Sequence, residues 1–287
     1  MTNPSTTQPS APHPPAAAQT RPVALVTGAA RRIGRAIALE LAAAGQDIAL
    51  HHRRTDPATL ADAAATASEL RRLGARVELF AADFDDAAAT ARLVPAIVAA
   101  FGRLDVVVNS ASRFEYDSPL EFDPALLVSL VRGNTAAPVV LAQALARQVP
   151  AQAPLPGLTP CVINLLDQKL SNPNPDYFSY TLTKAALQHA TVLLAQALAP
   201  AVRVCGVSPG VTLLSGPMND AEFAQAHTLT PLRRSSTPED IARAVRFLAE
   251  SPAITGIDLA VDGGQHLAAQ PRDVLFLART PASPTPV

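Results

Sequence analysis

Three side chains in this sequence could handle protons. Asp167 ends the run Cys161-Val-Ile-Asn-Leu-Leu-Asp167, and Tyr180 and Lys184 bracket Tyr180-Thr-Leu-Thr-Lys184. A spacing of i, i+4 puts Tyr180 and Lys184 on one face if the segment is helical. A phenol ionises near ~10, so at neutral pH it is a poor acid–base group until a cation stabilises its phenolate. Lys184 is the obvious cation: only Lys169 and Lys184 are lysine among the 23 Lys and Arg residues. Asp167 brings a second proton-handling group, provided that its strand ends beside that helix. A carboxylate near a phenol raises the phenol pKa unless the acid is itself protonated, so Asp167 and Tyr180 are expected to share a proton and titrate as a coupled unit. Lys169 is expected to be exposed on a loop.

The apolar pattern predicts the elements that would hold these groups. After a segment rich in Pro, Ser, Thr and Ala, Val23 to Thr27 is a short run suited to a buried strand. Ile33, Ile37 and Leu41 recur at helical spacing, and Gly45 supplies a stop. Further strands are expected at Ile48 to His51, Val77 to Ala81, Leu104 to Val108, Val162 to Leu166, Val202 to Val207 and Ile257 to Val261. Helices are expected at Pro57 to Leu73, Ala87 to Phe101, Leu126 to Gln148 (bent by Pro138), Tyr180 to Leu198 and Pro238 to Glu250. This alternation predicts one α/β domain of the Rossmann type, a doubly wound parallel sheet with helices on both faces. Its expected bounds are residues 21–270, between a disordered tail over 1–20 and a C-terminal tail over 271–287. Pro150 to Pro160 reads as a loop insertion. Leu213 to Leu232, with Met218, Phe223 and His227, reads as a mobile lid.

Composition narrows the classes of function. With 287 residues, 48% of them hydrophobic, the chain can bury one large core. A formal net charge of −1 argues against nucleic acid as the main partner. Cys161 and Cys205 each lie in an apolar β-type run and read as buried hydrophobes, so neither a disulfide nor a metal site is expected. No apolar stretch reads as a membrane span. The first 20 residues have no apolar core and no Lys or Arg, unlike a targeting peptide, which makes a reducing cytoplasm the default.

Between the first strand and the first helix stands Thr27-Gly28-Ala-Ala-Arg31-Arg32-Ile33-Gly34. Glycine there lets a diphosphate approach the backbone, and the helix N-terminus offers free N–H groups and the positive end of its dipole. An NAD site would usually show an acid after the second strand to bind the ribose 2′-hydroxyl. That place reads His51-His52-Arg53-Arg54, and arginines can fork onto a 2′-phosphate, so NADP(H) is the expected cofactor. Arg31 and Arg32 add positive charge on the same side.

Taken together and in order, these motifs resemble the short-chain dehydrogenase/reductase family over roughly residues 22–268. Ala82-Asp83-Phe84 follows the third strand, where the family's Asp contacts the adenine. Asn109-Ser110-Ala111-Ser112 stands where the family has Asn-Asn-Ala-Gly, and Asn134 where it has the helix asparagine of its proton relay. Pro209-Gly210 and Asp262-Gly263-Gly264 complete the series. Most members carry Gly where this chain has Arg32, and Ser where it has Asp167. Both departures resemble the pteridine reductase and dihydromonapterin/dihydrofolate reductase branch, as do Ala111-Ser112-Arg113-Phe114 and the ending Asp262 to Leu267. The resemblance implies that Phe114 stacks on a pterin opposite the nicotinamide, and that Ser112 and Arg32 contact cofactor phosphate or substrate. It implies NADPH-dependent reduction of a pterin, with Tyr180, Lys184 and Asp167 handling the proton and Asn134 holding a water beside Lys184. It also implies a tetramer built through the helices carrying Asn134 and Tyr180. A short-chain reductase of another carbonyl, such as a ketoacyl or sugar substrate, and a nucleotide-binding regulator without turnover are the alternatives.

Overall fold

The computed structural model describes residues 20–53, 55–214 and 218–279. Residues 1–19 of the tail expected over 1–20, Arg54, residues 215–217 of the expected lid, and the terminal residues 280–287 lie outside the described residues.

The chain alternates as its apolar pattern requires. In order come β1 (Val23–Val26), α1 (Arg32–Ala43), β2 (Asp47–His52), α2 (Pro57–Arg72), β3 (Val77–Ala81), α3 (Ala87–Phe101) and β4 (Val106–Asn109). Next are α4 (Pro124–Val131), a π turn (Arg132–Ala136), α5 (Ala137–Gln148), β5 (Cys161–Leu165), α6 (Phe178–Leu198) and β6 (Arg203–Pro209). The chain ends with α7 (Asp220–Thr228), α8 (Pro238–Glu250), β7 (Asp258–Val261) and α9 (Val274–Arg279). Helix starts follow local chemistry. Asp56, Asp86, Asp123, Asn219 and Thr237 each accept a first-turn N–H, and proline opens α2, α4 and α8 where its missing N–H costs nothing.

All seven strands are parallel, in the order β3-β2-β1-β4-β5-β6-β7. Val- and Ile-rich strands buried on both faces suit such a sheet, and β1, β4 and β5 are buried throughout. One face packs on α1, α2 and α8 through residues such as Leu41, Leu70 and Val245. The other packs on α3, α5 and α6 through Ile97, Leu141 and Ala195. The strand order reverses between β1 and β4, and in open α/β sheets the crevice outside the carboxyl ends of the strands at such a switch point is where ligands bind. Thr27, His52, Asp83, Ser110, Asp167 and Pro209 all sit at or just beyond strand carboxyl ends.

Three sequence expectations are corrected. The bend in the long central helix is a π turn ahead of Pro138, with the Ala137 N–H bonded to Arg132 O. Pro138 has no N–H to give and its ring crowds the carbonyl four residues back, so an inserted residue resolves the conflict. The segment assigned to a C-terminal tail contains α9, whose Val274 and Ala278 are buried with Ala226 of α7. The run Pro124–Ala151, contrary to the sequence reading, is long and apolar enough to cross a membrane by length and composition. In the fold it carries the π turn, and Leu141 and Leu145 pack against the sheet. Cys161 and Cys205 are buried and unpaired, and burial pushes the Cys161 thiol up to about 12, out of the reactive range.

Candidate active site

Tyr180 Oη donates to Asp167 Oδ2 at 3.0 Å. Asp167 leaves the end of β5 and caps a short turn, its Oδ1 accepting the Lys169 N–H at 2.9 Å. Tyr180 lies in the first turn of α6, and that start is built from a distance. Tyr177 precedes it in the left-handed region (φ 52°) and provides no cap. Instead the buried Asp117 accepts both the Ser179 N–H (2.9 Å) and the Ser179 hydroxyl (2.5 Å). Lys184, one turn on, donates to the Leu165 carbonyl at 2.7 Å and so bolts α6 to the end of β5.

Burial governs the electrostatics here. It raises Asp167 above the usual carboxylate range, against the opposing pull of the Lys169 N–H, Tyr180 and Lys184. Burial, then the charge of Asp167, pushes Tyr180 well above 10. Burial brings Lys184 down to about 8. The expectation that Lys184 acidifies Tyr180 is therefore corrected: desolvation and Asp167 outweigh the ammonium, which is spent on Leu165 O, and the phenol stays protonated. At 3.0 Å the Asp167–Tyr180 contact is an ordinary hydrogen bond, and both groups are shifted upward, toward their protonated forms. The Asn134 side chain is fully bonded. Its Oδ1 accepts from Arg113 N (2.9 Å) and Ser112 Oγ (3.2 Å), and its Nδ2 donates to Arg113 O (3.0 Å) and Thr183 Oγ1 (3.1 Å). With both ends engaged, the side chain is a positioning residue that ties the loop after β4 to α6.

The glycine loop forms a cradle that fits a dinucleotide diphosphate. A Cβ on Gly34 would meet Gly28 O at 2.4 Å, so the loop closes on α1 only with glycine there. Gly28 has φ +66°, and a Cβ there would press on Ala111. Arg32 keeps glycine's left-handed backbone (φ 57°) and reaches across to the Leu214 carbonyl at 2.9 Å. Thr27 Oγ1 accepts the Ser110 and Ala111 N–H groups, each at 2.9 Å, locking the loop after β4 to the glycine loop. No side chain caps α1, which leaves its first-turn N–H groups facing the cavity lined by Arg31, Ile33 and Gly34. His51 pins the loop: Nδ1 accepts the Gly28 N–H (3.2 Å) while Nε2 pairs with Ala82 O (3.0 Å). That network requires the neutral tautomer protonated on Nε2, and burial holds the imidazole down to about 4. His51 also stacks on Phe84 (4.6 Å between centroids). His51 therefore adds no charge, and the guanidinium of Arg53 carries the expected positive charge. Arg53 holds Asp83 and Asp85, each at 3.0 Å, through Nε and one Nη, and its other Nη has no hydrogen-bond partner among the described residues. A Cβ on Gly210 would meet Ser235 Oγ at 2.5 Å, which explains the glycine beside Pro209 at the end of β6.

These groups line one cavity of about 600 Å³. Of the candidate site residues read from the sequence, it is lined by Gly28, Arg31 to Gly34, His52, Arg53, Asp83, Phe84, Ser110 to Ser112, Phe114, Asn134, Asp167, Tyr180, Lys184, Pro209 and Gly210. Asn109 is the exception: it is turned into the sheet, where its Nδ2 donates to Asn164 Oδ1 at 2.8 Å. Phe114 stacks on Tyr177 (4.0 Å) and meets Tyr180 edge-on (4.7 Å).

Lys169, expected on an exposed loop, is buried and lines the cavity. Its Nζ donates to Asp176 O at 2.5 Å and faces Asp273 Oδ2 at 3.6 Å. Tyr177, Asp176, Asp273 and α9 were not singled out in the sequence as part of a site. The one available signal was the density of Asn, Asp and aromatic residues between Asp167 and Tyr180.

The profile described as Enoyl-(Acyl carrier protein) reductase matches residues 28–266. This chain belongs to the short-chain dehydrogenase/reductase family. It is an oxidoreductase of that family, which works with NAD or NADP. Pteridine reductase 1 of Leishmania tarentolae is 33% identical, aligned over 86% of this chain and 97% of that protein. The 3-oxoacyl-[acyl-carrier-protein] reductase FabG of Staphylococcus aureus is 30% identical, over 85% and 98%. Among solved structures, FolM alternative dihydrofolate reductase 1 of Brucella canis, complexed with NADP, superposes with a TM-score of 0.79 at 35% identity, covering 88% of this chain and 96% of that one.

Proposed function

We propose that this protein is an NADPH-dependent reductase of a reduced pterin: a dihydropteridine, a dihydromonapterin or a dihydrofolate. The observation that carries the reading is the hydrogen bond at 3.0 Å between half-buried Asp167 and buried Tyr180. A ketone needs one donor to its oxygen, which a serine beside the tyrosine could support. A C=N bond needs a proton on nitrogen, and a protonated carboxyl can supply one where a serine only hydrogen-bonds. The similarity to pteridine reductase 1 and to FolM supports the same reading.

NADPH, when bound, supplies the hydride that goes to the C=N carbon. Gly28, Gly34 and the first turn of α1 would hold its diphosphate, and His52 and Arg53 its 2′-phosphate. Tyr180, kept neutral by burial, gives its Oη proton to the ring nitrogen. Asp167, whose proton burial also favours, returns one from Oδ2 to Tyr180 Oη. Lys184 fixes α6 against Leu165 and holds positive charge near the transient phenolate. The catalytic residues in this reading are Asp167, Tyr180 and Lys184. The protein works as a homotetramer associated through α4–α5 and α6.

An NADPH-consumption assay with dihydrobiopterin, dihydromonapterin, dihydrofolate and a ketoacyl thioester tests the reading. Turnover of at least one pterin is expected. Turnover of the thioester alone would replace it with a carbonyl reductase of the FabG kind, and NADPH binding without any turnover would indicate a regulator.

A further inference from the structure

One wall of the cavity comes from a segment beyond the family match. That match ends at residue 266, whereas Gln270, Asp273, Val274 and Leu275 line the same cavity as Tyr180 and Phe114. A helix as short as α9 does not hold its shape in water by itself. Two sets of contacts fix it here. Arg272 grips Asp176 with two bonds of 2.8 Å, and the Asp273 N–H donates to the same carboxylate at 2.8 Å. Val274 and Ala278 are buried with Ala226 of α7, against Val211 and Met218.

A row of aromatic rings relates α9 to the reacting groups. Tyr180 meets Phe114 edge-on at 4.7 Å, and Phe114 stacks on Tyr177 at 4.0 Å. Tyr177 meets Tyr116 at 5.2 Å, and Tyr116 meets Phe276 of α9 at 5.7 Å. Asp176, which anchors Arg272, immediately precedes Tyr177. α9 thus stands at the end of this row away from Tyr180. A flat ring bound beside Phe114, with its reacting bond at Tyr180, leaves the α9 end for the group that the ring carries.

The chemistry of that end is selective. Its charges are matched within the protein, Arg272 with Asp176, and Lys169 Nζ with Asp273 Oδ2 at 3.6 Å. Beside them stands the apolar Leu275, which is buried and held by its N–H on Asp273 Oδ1 at 3.1 Å. A short hydroxylated chain suits this end, because Gln270 and Asp273 line the cavity next to the apolar wall. A long tail bearing carboxylates does not suit it. Such a tail would displace α9 or lose hydration against Leu275, with the two cations there already paired. We propose that α9 is the specificity wall of the substrate site, and that Leu275 limits the size of the group carried beside the reduced bond. The wall admits a pterin with a short hydroxyalkyl chain and rejects one with a benzoylglutamate tail. The inference rests on the pterin reading and narrows it among the pterins named above.

The test is calorimetric titration of the full chain, saturated with NADP, with biopterin and with folate, which share the ring and differ in the tail. The wild type should bind biopterin at least about ten-fold more tightly, the scale on which an apolar pocket discriminates by size. Leu275→Ala cuts back the wall and should narrow that ratio to about three-fold or less. Arg272→Gln frees α9 from Asp176 and should narrow the ratio in the same direction, and it reports independently if Leu275→Ala does not fold. NADP affinity should match wild type in both variants. A helix with only a structural role would lower the melting temperature of the variants and leave the ratio unchanged. That result would overturn the wall alone, as would a wild type that binds folate as tightly as biopterin. A wild type that binds neither would overturn the pterin reading and the wall together.

Discussion

At the scale of single residues, the protein sets its proton chemistry by burial rather than by charge pairing. Three ionisable groups stand together, and desolvation moves each toward its neutral form: Asp167 up, Tyr180 up and Lys184 down to about 8. Replacing Asp167 by Ser leaves a hydrogen-bond partner for Tyr180 but no second ionisable proton. Pterin reduction should fall by about 100-fold, within the usual reach of general acid–base catalysis, while NADPH affinity barely changes because the glycine loop is untouched. Steady-state rates and a titration of NADPH check both halves; an undiminished rate would refute the role. His51 gives a stability prediction of defined sign. Its ordinary value is 6.5 and its folded value about 4, so between these the unfolded chain binds more protons. Stability therefore rises with pH across that window and is lost on acidification from 6.5 toward 4, by up to about 3 kcal/mol. Protonation would also turn Nδ1 into a donor facing the Gly28 N–H. The urea midpoint at about pH 4.5 should fall below that at about pH 7 for wild type, and by less for His51→Gln, whose side chain does not titrate; equal acid sensitivity in both would remove His51 from the account.

Elements were legible in the sequence where the information is local. Every strand of the sheet and the helices α1, α2, α3, α6 and α8 follow from apolar periodicity, and α2, α3 and α8 also from caps that sit next to what they cap. The glycine loop was equally readable, because Gly28 and Gly34 are needed for contacts within and just beyond it. What escaped depends on distant partners. The π turn arises from Pro138 meeting a helix that packing will not let end. Lys169 is buried only because α9 returns to cover it, and α9 is short and held by Asp176, 97 residues before Asp273. The start of α6 is the clearest case, since its cap comes from Asp117, 62 residues away, while Tyr177 beside it provides none. Asp117→Ala should thus cost about 2 kcal/mol, a cap loss compounded by an unsatisfied buried Ser179. It should also lower kcat for the proposed reaction several-fold, because Tyr180 sits in the turn that is released. Thermal melts and steady-state kinetics would show both. A loss of stability with kcat intact would mean that α6 holds Tyr180 through Lys184 and Leu165 alone.

At the scale of the molecule, the two-sided helix α6 links the site to the outer surface. Tyr180, Lys184, Leu187 and Thr191 face inward. Leu182 and Leu193, three turns apart on another face, are exposed, Leu193 by 64%. On α4, Val128 is also half-exposed. Apolar residues gathered on neighbouring helices, away from the cavity, are what an association surface requires. An isologous contact uses each of them twice, since the same patch serves both subunits. Light scattering should give a mass near four chains of 29.9 kDa. Leu193→Asp would place two carboxylates against each other across a two-fold axis and should shift the mass to dimer or monomer. Because α6 carries Tyr180, the proposed proton donor, on its inner face, the dissociated form should also be less active per chain, with NADPH binding retained through the separate α1 cradle. A wild-type chain that stays monomeric at micromolar concentration would remove the tetramer. A dissociated variant with full activity would show that the inner face of α6 holds its geometry without a neighbour.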